Sequence, residues 1–359
     1  MHLIIVVPLN LSPGVINSQV IPRGEFFYKK RYNRVSYAFN SKDKYLTGST
    51  SISEKDVILF NGHADLKGLL SEKDTHIYTR SFEDFFHIRS ISFKAYVIYD
   101  FRALVSHESY FKNRSILRFL AIYLAEGLCY FLSNEVSTVS FNLKERLSKY
   151  YLRGRKVNVV PSLTRGLTQK TTESSLQSPG DDKELKLAYI GGASKWQNLE
   201  LMLDICDYLG QNYNVKLLVI TLEKDAFLKK LTHERKVKYS YEVISSDQSK
   251  VPELIRGSHF GFLLRENLIL NRVASPIKFC EYLNSGVMPI LTNYVGDYSS
   301  LSLKQGVGLI YDQNNPEQFY TQLKIYMNLW DECQERVGYV ARKLTWEHFT
   351  LDSYLQLMA

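Results

Sequence analysis

Short apolar runs alternate with segments of helical periodicity along almost the whole chain. A repeat of strand and helix is typical of parallel sheets whose two faces are covered by helices. The pattern therefore predicts an α/β protein with doubly wound sheets. The predicted strands lie at Leu3–Val7, Val57–Phe60, His76–Tyr78, Ala95–Tyr99, Val136–Ser140 and Val157–Pro161, and again at Leu185–Ile190, Val215–Thr221, Lys238–Val243, Phe260–Leu264, Val287–Thr292 and Gly308–Tyr311.

A polar stretch without hydrophobic period, residues 163–184, interrupts the pattern and predicts a linker. The chain of 359 residues is long enough for two cores, so we expect an N-terminal domain at 1–162 and a C-terminal domain at 185–344. A final helix at 345–359 is expected to pack back toward the N-terminal domain. Two doubly wound domains leave a cleft, and ligands of such sheets bind beyond the carboxyl ends of the strands.

The positive charge of the chain is concentrated in its first half. Residues 1–160 contain 23 Lys and Arg against 14 Asp and Glu, whereas the remainder contains 22 against 23. The densest cluster combines cations with aromatic residues and is either a solvated face or a surface for anionic lipid or phosphate. Its members are Arg23, Lys29, Lys30, Arg31 and Arg34, with Phe26, Phe27, Tyr28 and Tyr32.

No run reaches the roughly 18 uncharged apolar residues that a membrane-spanning helix needs. The nearest one, Ile116–Leu132, is interrupted by Arg118 and Glu126, and the first residues lack the basic start of a signal peptide. The scattered cysteines indicate neither a disulfide framework nor a zinc site. We therefore expect a cytoplasmic protein.

The segment SPIKFCEYLNSG places two opposite charges on a helix that otherwise reads as buried. Ser275 as N-cap and Pro276 at the first helical position predict the start of this helix. Lys278 and Glu281 then share one face. One interpretation is a bound nucleotide diphosphate, with Lys278 and the helix N-terminus at the phosphates and Glu281 at the ribose diol. The alternative is an intrahelical ion pair, which stabilises a helix by only about 0.3 kcal/mol.

Here the chain resembles the retaining GT-B glycosyltransferases, specifically the family-4-like group that builds bacterial surface polysaccharides. SPIKFCEYLNSGVMPILTNYVGD is similar to their nucleotide-sugar segment, and VPELIRGSHFGFLLRENLILNRVASP to the segment before it. LKLAYIGGASKWQNLELML resembles the first strand, loop and helix of their C-terminal domain. The N-terminal half is similar more loosely, through YTRS, VIYDFRALVSHES and VSTVSFNLKERLSKYYLRGRKVNVVPS. The resemblance implies two Rossmann-like domains facing a cleft, with the donor on the C-terminal domain and the acceptor on the N-terminal one.

The resemblance also implies roles for residues of the C-terminal half. Glu281 matches the glutamate that binds the donor ribose, and Lys278 matches a lysine placed at the diphosphate. Arg265 and Glu266 follow a predicted strand, where the first acidic residue of the family's paired-glutamate motif and its neighbours touch sugar or phosphate. The chain departs from that motif, because the usual place of its first glutamate is Val273 here.

Two glycines, Gly191 and Gly192, would let the backbone approach the diphosphate. Lys195 is the cation of the same loop, and with Lys278 or Arg265 it is expected to clamp the leaving phosphate. A plain strand-to-helix turn is the alternative for the glycines. Arg265 and Lys278 are thus catalytic candidates, and the donor-binding candidates are Gly191, Gly192, Lys195, Glu266, Pro276 and Glu281.

In the N-terminal half, Asp100 and Arg102 follow a predicted strand and His107 and Glu108 follow closely. We expect a polar loop at the acceptor, with Asp100 as a catalytic candidate and the other three residues as acceptor ligands. The alternative is a surface loop with local salt bridges. Gly14, after the first strand, is either a close-approach glycine at the acceptor or a simple turn glycine.

Transfer from a nucleotide sugar needs positive charge where the diphosphate leaves. The chain has no Asp-x-Asp pair that could bind a metal for this purpose. We therefore expect neither metal nor cofactor, with cations stabilising the leaving group. In retaining relatives the leaving phosphate is thought to take the proton of the acceptor, which the resemblance extends to this chain.

Two other functions compete with this interpretation. A nucleotide-sugar epimerase or hydrolase uses two domains of the same kind and would turn over donor without acceptor. A non-enzymatic module would bind membrane or another polyanion through the basic aromatic face, without nucleotide affinity. The preferred prediction is transfer to a glycan or lipid-linked glycan near the inner-membrane surface, by a cytoplasmic or peripheral protein that does not bind nucleic acid.

Overall fold

The computed structural model describes residues 1–9, 11–43, 52–72, 74–151, 156–166, 178–179, 184–235 and 237–359, apart from the side chains of His63 and Lys195. Its contacts divide the chain into two units, Met1–Arg165 and Gly166–Ala359. Each unit has one sheet in which every described strand pair is parallel. The predicted fold class is therefore confirmed.

The first unit contains a seven-stranded sheet in the order β3-β2-β1-β4-β5-β6-β7. The chain reverses direction across the sheet between β1 and β4, where Ile5 of β1 lies opposite Tyr37 on one side and Tyr78 on the other. These side chains are buried, and they belong to the core of the unit. The strands are β1 (His2–Val6), β2 (Arg34–Asn40), β3 (Val57–Phe60), β4 (Thr75–Thr79), β5 (Tyr96–Phe101), β6 (Glu135–Thr138) and β7 (Val157–Val159).

Two helices of the first unit, Ile116–Leu132 and Phe141–Tyr150, begin after a serine whose hydroxyl caps them. Ser115 accepts from the backbone N–H of Arg118, and Ser140 from that of Leu143. Short 3₁₀ or π segments lie at Ile16–Val20, Arg23–Phe27, Tyr28–Lys30 and Glu54–Asp56. The α-helices are α1 (Pro13–Val15), α2 (His63–Ser71), α3 (Phe82–Ile91), α4 (Val105–Asn113), α5 (Ile116–Leu132) and α6 (Phe141–Tyr150).

The second unit contains a six-stranded sheet in the order β10-β9-β8-β11-β12-β13. The chain moves outward from β8 to β10 and then returns to place β11 on the other side of β8. The boundary between β8 and β11 is therefore the point at which ligands of doubly wound sheets bind. The strands are β8 (Glu184–Ile190), β9 (Asn214–Ile220), β10 (Ser240–Ile244), β11 (Phe260–Leu263), β12 (Met288–Thr292) and β13 (Leu309–Tyr311).

The helices of the second unit connect these strands and close the C-terminus. Further short 3₁₀ or π segments lie at Lys195–Gln197 and Lys230–Arg235. The α-helices are α7 (Leu199–Leu209), α8 (Lys224–Lys229), α9 (Val251–Ile255), α10 (Ile269–Arg272), α11 (Lys278–Asn284), α12 (Gly296–Gln305), α13 (Pro316–Asn328), α14 (Trp330–Lys343) and α15 (Leu351–Met358).

The C-terminal helix α15 packs on α12 within the second unit. The hydroxyl of Tyr354 donates to Asp297 over 3.2 Å, and Gln305 Nε2 donates to the carbonyl of Leu357 over 2.9 Å. The predicted packing of 345–359 toward the N-terminal domain stays a prediction, as do the domain boundaries. Most of the predicted linker, 163–184, lies outside the described residues.

Every helix among the residues that the structure describes falls short of the length and hydropathy needed to cross a bilayer.

Candidate functional site

The loop after β8 and the start of α11 meet at the β8–β11 boundary. Gly191 has a φ of +132°, a conformation that favours glycine. A Cβ atom at this position would overlap the Nζ atom of Lys278, the first residue of α11. Lys278 Nζ also donates to Gln197 Oε1 over 2.7 Å and lies 5.0 Å from the ring centroid of Tyr189. The lysine amine is thus held against the backbone of the glycine loop.

Arg265 provides a second cation beside Lys278. It follows β11, and its backbone is fixed by Thr292 at the end of β12, whose hydroxyl accepts from Arg265 N at 3.0 Å and donates to Arg265 O at 2.8 Å. The residue is 9% exposed, yet its Nη1 atom is buried without a hydrogen-bond partner. An orphaned guanidinium nitrogen at the carboxyl edge of a sheet is suited to an oxyanion that the protein does not itself supply.

The electrostatic state of this pair depends on burial and on mutual repulsion. Burial, followed by the nearby charge of Arg265, lowers the pKa of Lys278 well below its ordinary value. Burial also lowers the pKa of Arg265. An anion that binds between Lys278 and Arg265 is stabilised by both residues. Its negative charge offsets the cost of burying the two positive charges and the repulsion between them.

Glu281 lies on α11 as well but points to a different partner. Its Oε1 atom accepts from Gln248 Nε2 over 3.3 Å, and the residue is 7% exposed. Burial raises the pKa of Glu281, although Gln248 and then Lys278 act in the opposite direction. Lys278 bonds Gln197 and Glu281 bonds Gln248, so the two charges do not serve as the intrahelical ion pair that the sequence left open.

The glycine loop is fixed on its other side by the end of β9. The backbone N–H of Ala193 donates to Glu223 Oε2 over 3.1 Å, and a Cβ atom at Gly192 would overlap Oε1 of the same carboxylate. The carbonyl of Gly192 accepts from the Tyr189 hydroxyl over 2.7 Å. A side chain at either glycine would therefore displace a neighbouring side chain. A plain strand-to-helix turn does not need glycine for this reason.

The predicted start of the helix at Ser275 and Pro276 is wrong by a few residues. The α-helix begins at Lys278, and Ile277 occupies the N-cap position without a side-chain cap. The Ser275 hydroxyl bonds the Tyr298 hydroxyl at 3.0 Å instead. Pro276 lies in the turn that precedes the helix, where its carbonyl accepts from the N–H of Phe279 over 3.2 Å.

Glu266 and Lys195 border the cluster. The backbone N–H of Glu266 donates to the carbonyl of Trp196 over 3.4 Å, and its carbonyl accepts from Asn271 Nδ2 over 2.9 Å. Glu266 thus lies beside the loop that contains Lys195. The side chain of Lys195 lies outside what the structure describes, so its predicted place in the phosphate clamp stays a prediction.

In the first unit, Asp100 is buried among cations. Its Oδ1 accepts from Arg23 Nη1 over 3.3 Å, its Oδ2 accepts from the Tyr78 hydroxyl over 2.6 Å, and Arg102 Nη1 lies 3.7 Å from Oδ2. Burial alone would raise the pKa of Asp100, but Arg23 and then Arg102 lower it to about 2. Asp100 is 1% exposed. Both of its oxygens are engaged, so it is a charged anchor rather than an accessible base.

Arg102 is oriented by this anchor and by two further oxygens. Its Nη2 atom donates to Ser162 Oγ over 2.9 Å and to Gln19 Oε1 over 3.4 Å. Burial, and then the charge of Arg23, lowers its pKa to about 9. Arg102 is the predicted acceptor ligand that the structure brings together with Asp100 at the carboxyl end of β5.

The polar loop predicted around His107 and Glu108 is wrong, because both residues lie in α4. The His107 ring stacks on Tyr150 of α6 at 5.7 Å and 2°, and Glu108 accepts from Lys112 over 2.7 Å within the helix. Four closely spaced polar residues thus divide between a strand end and a helix. Gly14 lies in α1, where its carbonyl accepts from Ser18 Oγ over 2.6 Å, rather than in a turn.

A family model described as "Glycosyl transferases group 1" matches residues 170–344, which contain the whole cluster at the β8–β11 boundary. The chain is a glycosyltransferase. It matches no curated protein.

Solved structures similar to this glycosyltransferase share its fold. An alpha-glucosyltransferase in complex with UDP is 14% identical, with a TM-score of 0.64 over 100% of this chain and 99% of that chain. The Anabaena protein HepE in complex with UDP-glucose is 11% identical, with a TM-score of 0.66 over 99% and 98%. An alpha-glucosyltransferase with UDP-glucose and DNA containing an abasic site is 14% identical, with a TM-score of 0.60 over 99% and 98%. At these identities the likeness shows a common two-domain GT-B fold.

Sequence reasoning missed three residues of the candidate site at the β8–β11 boundary: Gln197, Gln248 and Tyr189. Gln197 lies in the loop that was singled out for Lys195, and Gln248 follows the end of β10. Their positions beyond the carboxyl ends of predicted strands were the available signal. Amide side chains carry no charge, however, so nothing distinguished them from ordinary loop residues.

Across the residues that the structure describes, His, Cys, Asp and Glu side chains form no group of three that could hold a metal ion.

Proposed function

We propose that this glycosyltransferase moves a sugar from a nucleotide diphosphate sugar to a glycan or lipid-linked glycan, with retention of anomeric configuration and without a metal ion. The observation that carries the proposal is the cluster of Lys278 and Arg265 beside Gly191, with an orphaned Arg265 Nη1 atom.

The diphosphate binds between the two cations. Gly191 leaves room for the backbone to approach it, while Lys278 and Arg265 direct their charges to phosphate oxygens. Without phosphate, burial and the charge of Arg265 lower the pKa of Lys278. Bound phosphate favours the charged form of this lysine. The structures of similar fold that were solved with UDP or UDP-glucose support uracil as the first base to test.

Glu281 binds the ribose of the donor. Its carboxylate can accept hydrogen bonds from two neighbouring hydroxyls, and the partner that it now has, Gln248, is a neutral amide at 3.3 Å. Replacement of one long hydrogen bond by two from a diol favours binding. Glu266 and Lys195 remain candidates for contact with the donor sugar and phosphate.

In the transfer step, the bond between the anomeric carbon and the phosphate oxygen breaks, and a bond to the acceptor oxygen forms on the same face. Negative charge develops on the leaving phosphate, where Lys278 and Arg265 stabilise it. The acceptor hydroxyl proton passes to the leaving phosphate, so that no protein base is required. Asp100 then acts as a positioning residue that holds Arg102 toward the acceptor, in place of the catalytic role that the sequence suggested.

The acceptor is proposed to be membrane-proximal, in bacterial polysaccharide synthesis, with the enzyme cytoplasmic or peripheral. The support is the family resemblance and the excess of cations in residues 1–160. Some structures of similar fold were solved with DNA, so the prediction that nucleic acid is not a partner has no support from the comparisons. Duplex DNA is therefore offered as an acceptor beside the lipid-linked sugar.

The test is UDP release from UDP-glucose, UDP-galactose and UDP-N-acetylglucosamine in the presence of chelator. Each donor is assayed alone, with a polyprenyl-diphosphate-linked sugar, and with duplex DNA. Release that depends on the lipid-linked acceptor supports the proposal, and the anomeric proton coupling of the product reports retention. Release without acceptor, or conversion of the donor sugar to its epimer, would favour a hydrolase or epimerase. Release that depends on DNA would assign a nucleic-acid acceptor.

A further inference from the structure

Helix α5 presents an unusual row of exposed apolar side chains. Leu117, Leu120, Leu124, Leu128 and Phe131 are 82%, 48%, 66%, 48% and 43% exposed. They are spaced by three or four residues and therefore form one stripe along the helix. Large apolar side chains exposed singly are ordinary, but a continuous stripe of this kind marks an interaction surface.

The exposed face of α5 carries no acidic side chain. The helix has two charged residues, Arg118 and Glu126, and only Arg118 is exposed. Glu126 is 0% exposed and accepts hydrogen bonds from Val105 N, at 2.7 Å, and from Ser106 Oγ. The opposite face, which includes Cys129 and Tyr130, packs into the core. The helix is thus strongly two-sided.

Cations stand at both ends of the stripe. Arg114 and Arg118 are exposed at its start. At its end, Arg89 donates to the carbonyl of Leu132 over 2.5 Å and to the carbonyl of Phe93 over 3.0 Å, which places the Phe93 loop beside the last turn of α5. Phe93 is 72% exposed, and the next residue, Lys94, is exposed as well.

We propose that α5 docks the protein on an anionic lipid bilayer, lying in the plane of the interface. Its leucines enter the boundary between headgroups and acyl chains, while Arg114, Arg118 and Lys94 contact lipid phosphates. A helix of 17 residues is about 25 Å long at 1.5 Å per residue and is too short to span the roughly 30 Å hydrocarbon core. The inference extends the proposed membrane-proximal acceptor by naming the surface that reaches the membrane.

Charge complementarity favours lipid over a second copy of the chain. If two α5 helices packed in parallel, like cations would meet at each end. If they packed antiparallel, Arg118 of one copy would meet Lys94 of the other. Neither orientation supplies an exposed acid from α5 to offset the repulsion, whereas an anionic bilayer offsets it at both ends.

The experiment is sedimentation of the full chain with large vesicles of phosphatidylcholine containing 30% phosphatidylglycerol, and with vesicles of phosphatidylcholine alone. The apolar variant is Leu117→Gln/Leu124→Gln/Leu128→Gln. Its matched control replaces three exposed apolar residues of the second unit, Leu222→Gln/Leu303→Gln/Ile325→Gln, which are 88%, 55% and 48% exposed. Two charge variants are compared, Lys94→Gln/Arg114→Gln/Arg118→Gln and Lys29→Glu/Lys30→Glu, the second in the basic cluster near the N-terminus.

We expect the affinity of the apolar variant for anionic vesicles to be at least tenfold lower than that of wild type. The control variant should bind with wild-type affinity. The variant at the two ends of α5 should lose more affinity than the variant at Lys29 and Lys30. Equal binding by the apolar variant and wild type would overturn the proposal, as would no binding by wild type. A wild-type dimer in sedimentation velocity that the apolar variant dissociates would assign α5 to self-association instead.

UDP titration without vesicles separates this inference from the proposed function. If the apolar variant loses vesicle binding and keeps UDP binding, the docking surface and the proposed function are both supported. If no chain binds UDP but vesicle binding still depends on α5, the docking surface stands and the proposed function fails.

Discussion

Lys278 Nζ lies 2.7 Å from Gln197 Oε1, so the first residue of α11 is joined to the loop that follows β8. The contact crosses the boundary between β8 and β11, where the sheet reverses its strand order. It places the lysine amine against Gly191 and away from Glu281 on its own helix. The two charges of α11 are thereby available for two different parts of a ligand.

Substitution of Gly191 by alanine tests the close approach. The new Cβ would overlap Lys278 Nζ, and the φ of +132° is strained for any other residue. We expect Gly191→Ala to weaken UDP binding at least tenfold, measured by calorimetry. Gly338→Ala is the control, because nothing lies within 4 Å of its Cβ position. Undiminished binding by Gly191→Ala would remove the glycine loop from the site.

Removal of the Glu281 carboxylate tests the ribose contact. We expect Glu281→Ala to weaken UDP binding more than tenfold and to weaken binding of inorganic diphosphate little, because diphosphate has no ribose. Gln248→Ala should affect UDP much less, since Gln248 is the partner that the ribose replaces. Equal losses for UDP and diphosphate would place Glu281 at the phosphates or in the fold.

The lowered pKa of Lys278 makes nucleotide binding depend on pH. Its charged form is lost as pH rises toward and beyond this lowered pKa, and a diphosphate binds the charged form. Affinity should therefore fall with rising pH over a range that lies below the ordinary lysine pKa of 10.5, and binding should take up protons, as calorimetry in buffers of different ionisation enthalpy would measure. Lys278→Met should bind weakly with a flat profile. A flat profile in wild type would mean that Lys278 does not contact the phosphates.

Asp100 should stabilise the first unit through its charge. Its pKa of about 2 in the folded protein lies below the ordinary value of 3.8. The stabilisation is therefore complete above about pH 4 and is lost as pH falls through 2. Asp100→Asn removes the buried carboxylate charge that faces Arg23, and we expect it to lower the free energy of unfolding by about 3 kcal/mol at pH 7.

Asp84 provides a control of opposite sign for the Asp100 prediction. Burial raises its pKa to about 6, so its ionisation costs stability as pH rises from about 4 to 6. Denaturant unfolding should show that the free energy of unfolding of Asp84→Asn rises relative to that of wild type over this range. The stability that Asp100→Asn lacks relative to wild type should shrink only below pH 4. A deficit of Asp100→Asn that stays constant down to pH 2 would contradict its ionic role.

Much of the fold could be predicted because buried parallel strands are continuous apolar runs. The exception is β2, Arg34–Asn40, which was missed because Arg34 and Asn40 lie at its ends and Ser36 within it. Ser36 is buried and bonds His2 Nε2 at 2.9 Å. A polar residue satisfied by a distant partner cannot be recognised from local pattern alone.

The charged residues of the second-unit site could be predicted from the sequence, but their hydrogen-bond partners could not. The sequence singled out Lys278, Arg265 and Glu281, and the fold brings Lys278 to Arg265. The uncharged contacts, Gln197 and Gln248, depend on loops that meet only in the folded sheet. The start of α11 was misplaced because Ser275 has a competing partner, the Tyr298 hydroxyl, that lies 23 residues away.

The first-unit site was the least predictable from the sequence. Asp100 and Arg102 were read as one loop with His107, but a helix begins at Val105 and removes His107 to an aromatic stack. The cation that bonds Asp100 is Arg23, which is 77 positions away and had been read as part of an exposed basic face. Burial of that arginine follows from the sheet order, which no local spacing encodes.

The measurement that tests the central claim most directly is calorimetric titration of the full chain with UDP, GDP, CDP and ADP in the presence of chelator. The account predicts micromolar binding of one nucleotide in preference to the others. It also predicts that Arg265→Met, which removes the orphaned Nη1 atom together with the guanidinium charge, weakens that binding at least tenfold. No binding of any of the four nucleotides, or equal binding by wild type and Arg265→Met, would contradict a donor site at the β8–β11 boundary.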